Sequence, residues 1–369
     1  MKLPNFYTGN YKLLAIIPIV LFIAALGLIF FNGVPQGVDL KGGVLLSIQA
    51  QGNVDVAAVH AAVAKVATIS NIRTFASPVG TGLEVELETN DKLAKIEEKI
   101  KALQAKDSLL RELEVNATVV PTEEAVTIAQ RESAVSAEII SDAKVIFQEL
   151  GVSYTPIEAH LTVKEAVGAY NNQQDVYRNE VINAVKGVVN VKSYSFREVG
   201  PALSKFFLDK SREVLLISFI LAAIAVFVVF RSIVPSAAVI VGAVSDIVIT
   251  LGAMSLFNIP MSLASIAALL MLIGFSLDTD IMLTMRVLKR KEGTPAERVF
   301  GAFKTGSLMN LTVISAYGVL ALTGLYLQIP VYFELGIVAM IGGVIDFAAT
   351  WGLNAVLILS YAEKKEARV

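Results

Sequence analysis

The sequence contains no cysteine and only two histidines, His60 and His160, both outside its apolar runs. Disulfides and thiolate metal sites are therefore excluded, and so is a histidine proton relay inside a membrane. Charge is scarce as well. Only 17% of the residues are Asp, Glu, Lys or Arg, against about 25% in a soluble globular domain. In its place the chain is 55% hydrophobic, with a mean hydropathy of +0.64. This composition defines an integral membrane protein. The net charge of −2 carries little information, because the charges are unevenly distributed.

Six apolar runs are long enough to cross about 30 Å of hydrocarbon at about 1.5 Å per residue. They are Leu13–Phe31, Val214–Phe230, Ile233–Phe257, Ser262–Met285, Gly306–Leu327 and Val331–Tyr361. The first follows Lys2 and Lys12 as a signal peptide would, but Phe30–Pro35 offers no small-residue cleavage site, so a retained anchor is expected. Arg231 lies between spans 2 and 3. Arg286, Lys289, Arg290, Lys291 and Arg298 cluster between spans 4 and 5, with Lys304 entering the next helix, and Lys364, Lys365 and Arg368 lie in the tail. The turns Asn258–Met261 and Gln328–Pro330 carry no charge. The positive-inside rule then places both termini in the cytoplasm. The expected organisation is 1–31 for the cytoplasmic N-terminus and span 1, 32–213 for an extracytoplasmic domain, 214–361 for spans 2–6 and 362–369 for a cytoplasmic tail.

Within the outer domain, Leu83–Glu88 alternates strictly between apolar and acidic residues and predicts a half-buried strand. Val44–Ile48 and Val188–Val191 are further strand candidates, while Val54–Ala67 and Val176–Val185 have helical spacing. In order, these elements predict an α+β, ferredoxin-like βαββαβ sandwich. Residues 90–173 then form a helical insertion, with Lys92–Leu103 and Glu123–Leu150 as helices whose charges mark solvated faces. Thr122 before Glu123 and Glu124 reads as a helix start. Asn116–Ala117–Thr118 fits a glycosylation sequon, which chance alone explains. No nucleophile–base constellation, metal cluster or phosphate loop is legible here.

The chemistry lies in the membrane. Gly274–Phe275–Ser276–Leu277–Asp278–Thr279–Asp280 puts two carboxylates into span 4, and Asp246 and Asp346 lie near the middles of spans 3 and 6. An ionised side chain at such a depth costs about 2.5–3.5 kcal/mol on insertion scales and is kept by default for function. Asp278 and Asp280 point about 200° apart on one helix, so one is expected to face the bundle and the other a cavity or the interface. Asp278 and Asp280 are the leading ion-coupling candidates. Lys304 is expected to snorkel toward Asp278, with Arg286 about 12 Å away at the cytoplasmic end of span 4. The alternative is that serines, threonines and backbone carbonyls satisfy these aspartates, which then only fix helix packing. Gly301, Gly306, Gly342 and Gly343 are read as close-packing positions.

Gly37–Val38–Asp39–Leu40–Lys41–Gly42–Gly43 lies where span 1 gives way to the first strand. By itself it reads as a structural turn. With the outer domain and five further spans behind it, the chain resembles the SecD/SecF family of protein-export membrane subunits. Asp39, Gly42 and Gly43 match the family's motif after span 1. Val199–Gly200–Pro201 matches its entry to span 2, and Gly274–Asp280 with Arg286 matches its span 4 motif. Gly293–Thr294–Pro295 matches the following loop. Lys304–Thr305 stands where the family has Arg-Thr, Leu40–Lys41 is closer to the SecD version, and the outer domain is larger than is usual for SecF. The membrane half, through Ser245–Ile249 and Ala267–Gly274, is most similar to the archaeal SecF branch.

The resemblance implies a non-enzymatic subunit, half of an RND-type transporter, in the cytoplasmic membrane. It would use ion-motive force to assist polypeptide translocation, with H⁺ or Na⁺ as the transported ion and no bound cofactor or metal. The implied partners are a SecD-like six-span subunit, a SecYEG-type translocon, the unfolded polypeptide and membrane lipid, with no nucleic acid. The alternative is an RND-type half-transporter exporting lipid or small molecules, which needs an apolar cleft in the outer domain. An intramembrane aspartyl protease is set aside because Gly-x-Gly-Asp is absent.

Overall fold

The computed structural model describes residues 4–77, 80–117 and 122–367. Two compact units are present, one of Met1–Gly42, Phe75–Gly82 and Ala202–Val369, the other of Gly43–Thr74 and Leu83–Pro201.

In the first unit, a 3₁₀ turn (Tyr11–Ala15) opens α1 (Ile16–Asn32), and a single helical turn, α2 (Val38–Lys41), carries the motif aspartate. After the other unit come α7 (Pro201–Phe230), α8 (Ile233–Leu256), α9 (Leu263–Lys289), α10 (Pro295–Leu327) and α11 (Pro330–Ala348). A π-helical turn (Ala349–Asn354) joins α11 to α12 (Ala355–Glu366). Among the described residues, six helical segments are long and apolar enough to cross a membrane. About half of each of α8, α9 and the α11–α12 segment is buried, whereas α1, α7 and α10 are mostly exposed. The three inner segments are those that carry the aspartates.

Two spans begin well before their apolar runs. Helix α7 starts at Pro201 rather than Val214, because a proline has no N–H to lose at a helix start. Helix α10 starts at Pro295 rather than Gly306. Thr294 caps it, and Glu297 completes a reciprocal capping box. Arg298 therefore sits on α10 and not in a loop. Arg298 is buried and donates to the carbonyls of Val287 (2.9 Å) and Arg290 while pairing with Glu366, so it staples the ends of α9 and α12. Helix α10 runs against α11 at backbone distance, because a Cβ at Gly336 would strike the Ala321 backbone and one at Gly324 the Phe333 backbone. Gly306, Gly342 and Gly343 likewise face Trp351, Leu272 and Ile314, while Gly301 faces open space. At the N-terminus, the buried Tyr7 hydroxyl donates to the Trp351 carbonyl at 2.7 Å and staples this segment to the π turn.

The second unit holds β1 (Gly43–Ala50), α3 (Val56–Val63), β2 (Ile69–Ser77), β3 (Gly80–Leu87), α4 (Asp91–Ala117), α5 (Thr122–Leu150), α6 (Ala159–Lys186) and β4 (Val191–Val199). The tip of the β2–β3 hairpin is grouped with the first unit. The sheet order is β2-β3-β1-β4, with β1 and β4 antiparallel from Gly43↔Val199 to Ala50↔Val191. Val44, Leu46 and Ile48 of β1 and Val85 and Leu87 of β3 form a core with Val59, Ile96, Ile146 and Val181 from the helices.

Several boundaries differ from expectation. The last strand follows the valine run Val188–Val191 instead of occupying it, because the chain turns there after α6. Val176–Val185 is the end of the 28-residue α6, so the expected insertion boundary at residue 173 falls inside a continuous helix. Strand β3 is buried on both faces, since Glu84 and Glu86 are only 7% and 4% exposed. Arg73 compensates them at 3.4 and 2.6 Å, and burial still raises the Glu84 pKa. Thr118 of the sequon and Pro121 lie outside the described residues.

Candidate ion-coupling site

Asp246 on α8, Asp280 on α9 and Asp346 on α11 converge within the bundle, with exposures of 1%, 0% and 0%. The Asp246 carboxylate lies within electrostatic reach of both of the others. Ser276, one helical turn before Asp280, donates to Asp246 Oδ2 at 2.5 Å. Asn310 of α10 donates to Asp346 Oδ2 at 2.7 Å and receives a long contact of 3.4 Å from Thr279. Thr350, in the π turn, lies 2.9 Å from Asp280 Oδ1 and 3.1 Å from Asp346 Oδ1, so these two oxygens are at most about 6 Å apart.

A hydroxyl carries a single hydrogen. Thr350 therefore satisfies one of its two carboxyl neighbours at a time, and the other contact is favourable when that carboxyl group carries a proton. The buried Asn354 side chain stands beside Asp280, and Asp346 beside Asp246. Among the described residues, no Lys or Arg pairs with any of the three aspartates. Nor, among those residues, is any group of three or more His, Cys, Asp or Glu placed to hold a metal ion. The cluster thus consists of acids and neutral hydrogen-bonding groups. Helix α8 makes room for it at Gly242, one turn before Asp246, where a Cβ would lie 2.7 Å from Asp280 Oδ2.

Of the two leading candidates on α9, only Asp280 joins the cluster. The helical phase that buries Asp280 turns Asp278 to the exposed face of α9, and Lys304 is also exposed. No ion pair joins Asp278 to Lys304, whose ammonium lies over the Phe300 ring at 4.7 Å. A long side chain on a helix leans toward the preceding turn, which here holds Phe300. Arg286 instead donates to the Gly301 carbonyl at 2.6 Å and to Thr305 Oγ1 at 2.9 Å, tying α9 to α10. Ser276, Asn310 and Thr350 were not singled out from the sequence. Two signals mark them: Ser276 and Thr350 each lie four residues from an aspartate on the same helix face, and Asn310 interrupts an apolar run.

The glycine motif also has a defined geometry. Gly37 donates to the Met261 carbonyl at 2.9 Å and Met261 to the Pro35 carbonyl at 2.7 Å, bridging the strap after α1 to the turn before α9. Asp39, 5% exposed, accepts the Leu263 N–H at 3.3 Å. Gly42 and Gly43 have φ of 82° and 124°, and a Cβ on Gly43 would strike the Leu87 carbonyl oxygen. Only glycine fits there.

A bundle with acids from three helices buried between its spans defines a multi-pass membrane protein built around an ionisable core. Two family models match: "SecD/SecF GG Motif" over residues 27–54 and "Protein export membrane protein SecD/SecF, C-terminal" over residues 180–364. The SecF protein-export membrane protein of Methanothermobacter thermautotrophicus is 41% identical over 196 residues, 53% of this chain and 67% of that one. The SecF proteins of Methanolacinia petrolearia and Methanocaldococcus jannaschii are 42% and 41% identical, and the matches cover 45% and 48% of this chain. The chain spans 59% and 63% of the length of those two relatives. The crystal structure of SecDF from Thermus thermophilus superposes with a TM-score of 0.56 at 15% identity, covering 97% of this chain and 60% of that one. That likeness concerns the fold. The chain belongs to the SecD/SecF family of protein-export membrane proteins, on its SecF side.

Proposed function

We propose that this protein uses ion-motive force to assist polypeptide translocation across the cytoplasmic membrane, with the Asp246–Asp280–Asp346 cluster as the ion-coupling element. The observation that carries this reading is the convergence of three buried carboxylates from three inner helices without a paired cation. Burying even one ionised carboxylate is costly unless it is compensated. A cluster sharing hydroxyl and amide donors lowers that cost by binding an ion or proton, and the helices that supply it rearrange as occupancy changes. Moving one elementary charge across 100 mV yields about 2.3 kcal/mol, enough to change a conformational ratio roughly 50-fold.

The basic residues at the α7–α8, α9–α10 and C-terminal ends support cytoplasmic termini and an extracytoplasmic position for residues 32–213. The strand order β2-β3-β1-β4 supports a ferredoxin-like reading of that domain, with α4 and α5 inserted. Asp278 stands on the outward face of a spanning helix, where a carboxylate needs a polar neighbour. A SecD-like six-span subunit covering this face supplies one, and a SecYEG-type translocon is the machine the pair serves. Export of small molecules instead calls for an apolar cleft in the outer unit. The cavity of about 320 Å³ among α4, α5 and α6 is lined by Glu114, Glu132, Glu158 and His160, which does not favour that alternative.

The test is export by vesicles reconstituted with the partner and channel, under separately imposed proton and sodium gradients. Stimulation by one gradient that is lost in Asp280→Asn supports the proposal and identifies the ion. Equal export with no gradient and with either gradient refutes it.

A further inference from the structure

We propose that the basic end of the helical bundle holds a binding site for the phosphate group of an anionic phospholipid, built from the start of α8 and the ends of α9 and α12, with Lys289 and Lys365 as its cations. None of the three buried aspartates lines it, so it stands apart from the ion-coupled reading.

These helix ends meet around a cavity of about 130 Å³. Phe230 closes α7, and after Arg231 and Ser232 the chain re-enters the bundle as α8. The N–H groups of Ile233 and Val234 have no carbonyl one turn behind them in the helix. Pro235 has no N–H, and the Ser232 side chain does not cap the helix. The first N–H bonded within α8 is that of Ser236, to the Ser232 carbonyl at 3.3 Å. Ser232 and Pro235 both line the cavity, so the positive end of the α8 dipole borders it.

Lys289 is the last residue of α9, and Lys365 lies in the last turn of α12. The dipole of its own helix favours a lysine at either place, and that explains one of them alone. Here both border a single cavity together with a helix start, and no carboxylate lines it. Among the described residues, neither lysine forms an ion pair. The carboxylates at the end of α12 are engaged elsewhere. Glu363 accepts the Tyr11 hydroxyl at 2.6 Å, and Glu366 pairs with Arg298.

A buried hydroxyl points to the same ligand. Thr284 lines the cavity at 0% exposure, and its Oγ1 has no hydrogen-bond partner. Helical threonines commonly bond the carbonyl one turn back, and buried polar groups are normally satisfied. A phosphate oxygen is the acceptor this hydroxyl lacks. Two cations, a helix start and a free hydroxyl together select an anion with several oxygens. Met285 and Leu288 add an apolar part to the lining, which selects an anion that carries hydrocarbon. A phospholipid combines the two, and basic pockets between spanning helices suit such head groups. The cavity has the volume of about four waters at about 30 Å³ each, room for a phosphate whose hydrocarbon lies outside it.

The full chain is melted in neutral detergent while phosphatidylglycerol, phosphatidylcholine or inorganic phosphate is added at constant ionic strength. Phosphatidylglycerol should raise Tm saturably, as a ligand of the folded state does. Lys289→Gln/Lys365→Gln should raise the half-saturating concentration about 30-fold, the combined effect of two cations at an anionic surface. Lys289→Arg/Lys365→Arg should keep the response. So should Lys291→Gln/Lys364→Gln, which removes the same charge from exposed neighbours outside the cavity. Thr284→Val should raise the lipid-free Tm, because no unpaired hydroxyl is then buried, yet weaken phosphatidylglycerol about tenfold. The arginine pair and Thr284→Val carry the test however well the glutamine pair folds. A wild-type response to phosphatidylglycerol in Lys289→Gln/Lys365→Gln and in Thr284→Val overturns the site. So does a response to phosphatidylcholine, whose phosphate is offset by its own ammonium, as strong as that to phosphatidylglycerol. Inorganic phosphate acting at the same concentration as the lipid overturns the lipid assignment in favour of a free anion.

Discussion

Gly242→Ala tests the cluster without altering any ionisable group. The added Cβ would lie 2.7 Å from Asp280 Oδ2, about an ångström inside ordinary contact. That oxygen belongs to a short side chain whose other oxygen is held by Thr350 at 2.9 Å. Relieving the overlap means rotating the carboxylate off Thr350 or separating α8 from α9. Overpacking of this kind costs about 1–3 kcal/mol, and loss of a hydrogen bond to a charged group costs about 1.5–3 kcal/mol. The better helix propensity of alanine returns up to about 1 kcal/mol. A net loss of about 1–2 kcal/mol is expected, focused on the α8–α9 contact, with gradient-stimulated export down at least about fivefold. Gly301→Ala is the matched control, because nothing lies within 4 Å of its Cβ position. Thermal unfolding in detergent and export in vesicles are measured on both. Wild-type melting and wild-type stimulation in Gly242→Ala, beside an unchanged Gly301→Ala, would refute the packing of Asp280 against α8.

Asp280→Asn should abolish gradient-stimulated export while leaving membrane insertion intact. Asp278→Asn should chiefly weaken recovery of the six-span partner on co-purification, and the reverse pattern would return the coupling role to Asp278. Thr350→Val removes the hydroxyl shared by Asp280 and Asp346. It should lower stimulation about tenfold, consistent with the loss of a charge-assisted hydrogen bond. In the second unit, His160 lies 2.5 Å from Asp107 and 2.9 Å from Glu114. The hydrogen bond to Asp107, aided by Glu114, raises its pKa. Its contribution to stability is therefore complete below the unfolded value of about 6.5 and is lost as pH rises through the folded value. Melting curves of the full protein from pH 6 to 9 should show this decline, and His160→Gln should flatten it.

The six spans were legible because a run of about 20 apolar residues has few other fates than a membrane helix. Their starts were less legible. Charged residues at Lys205–Glu213 and Glu297–Lys304 hid the first turns of α7 and α10, although Pro201 and Thr294–Pro295 marked those starts through backbone chemistry alone. In the second unit, the alternation of Leu83–Glu88 gave the strand but not the burial of Glu84 and Glu86. Their charges are met by Arg73 on another strand, and no local pattern encodes that pairing.

The sequence by itself determined that this is a membrane protein with carboxylates inside its spans, that it belongs among the export subunits, and that Asp278 and Asp280 face opposite ways. Composition, run length and helical period are properties of the chain and need no partner. Only the tertiary structure decided which carboxylates lie together. Asp246, Asp280 and Asp346 lie on three helices whose relative rotation is set by packing at positions such as Gly242, Gly306 and Gly342. That rotation turned Asp278 outward, left Lys304 over Phe300, and brought Thr350 of the π turn to Asp280 as well as to Asp346.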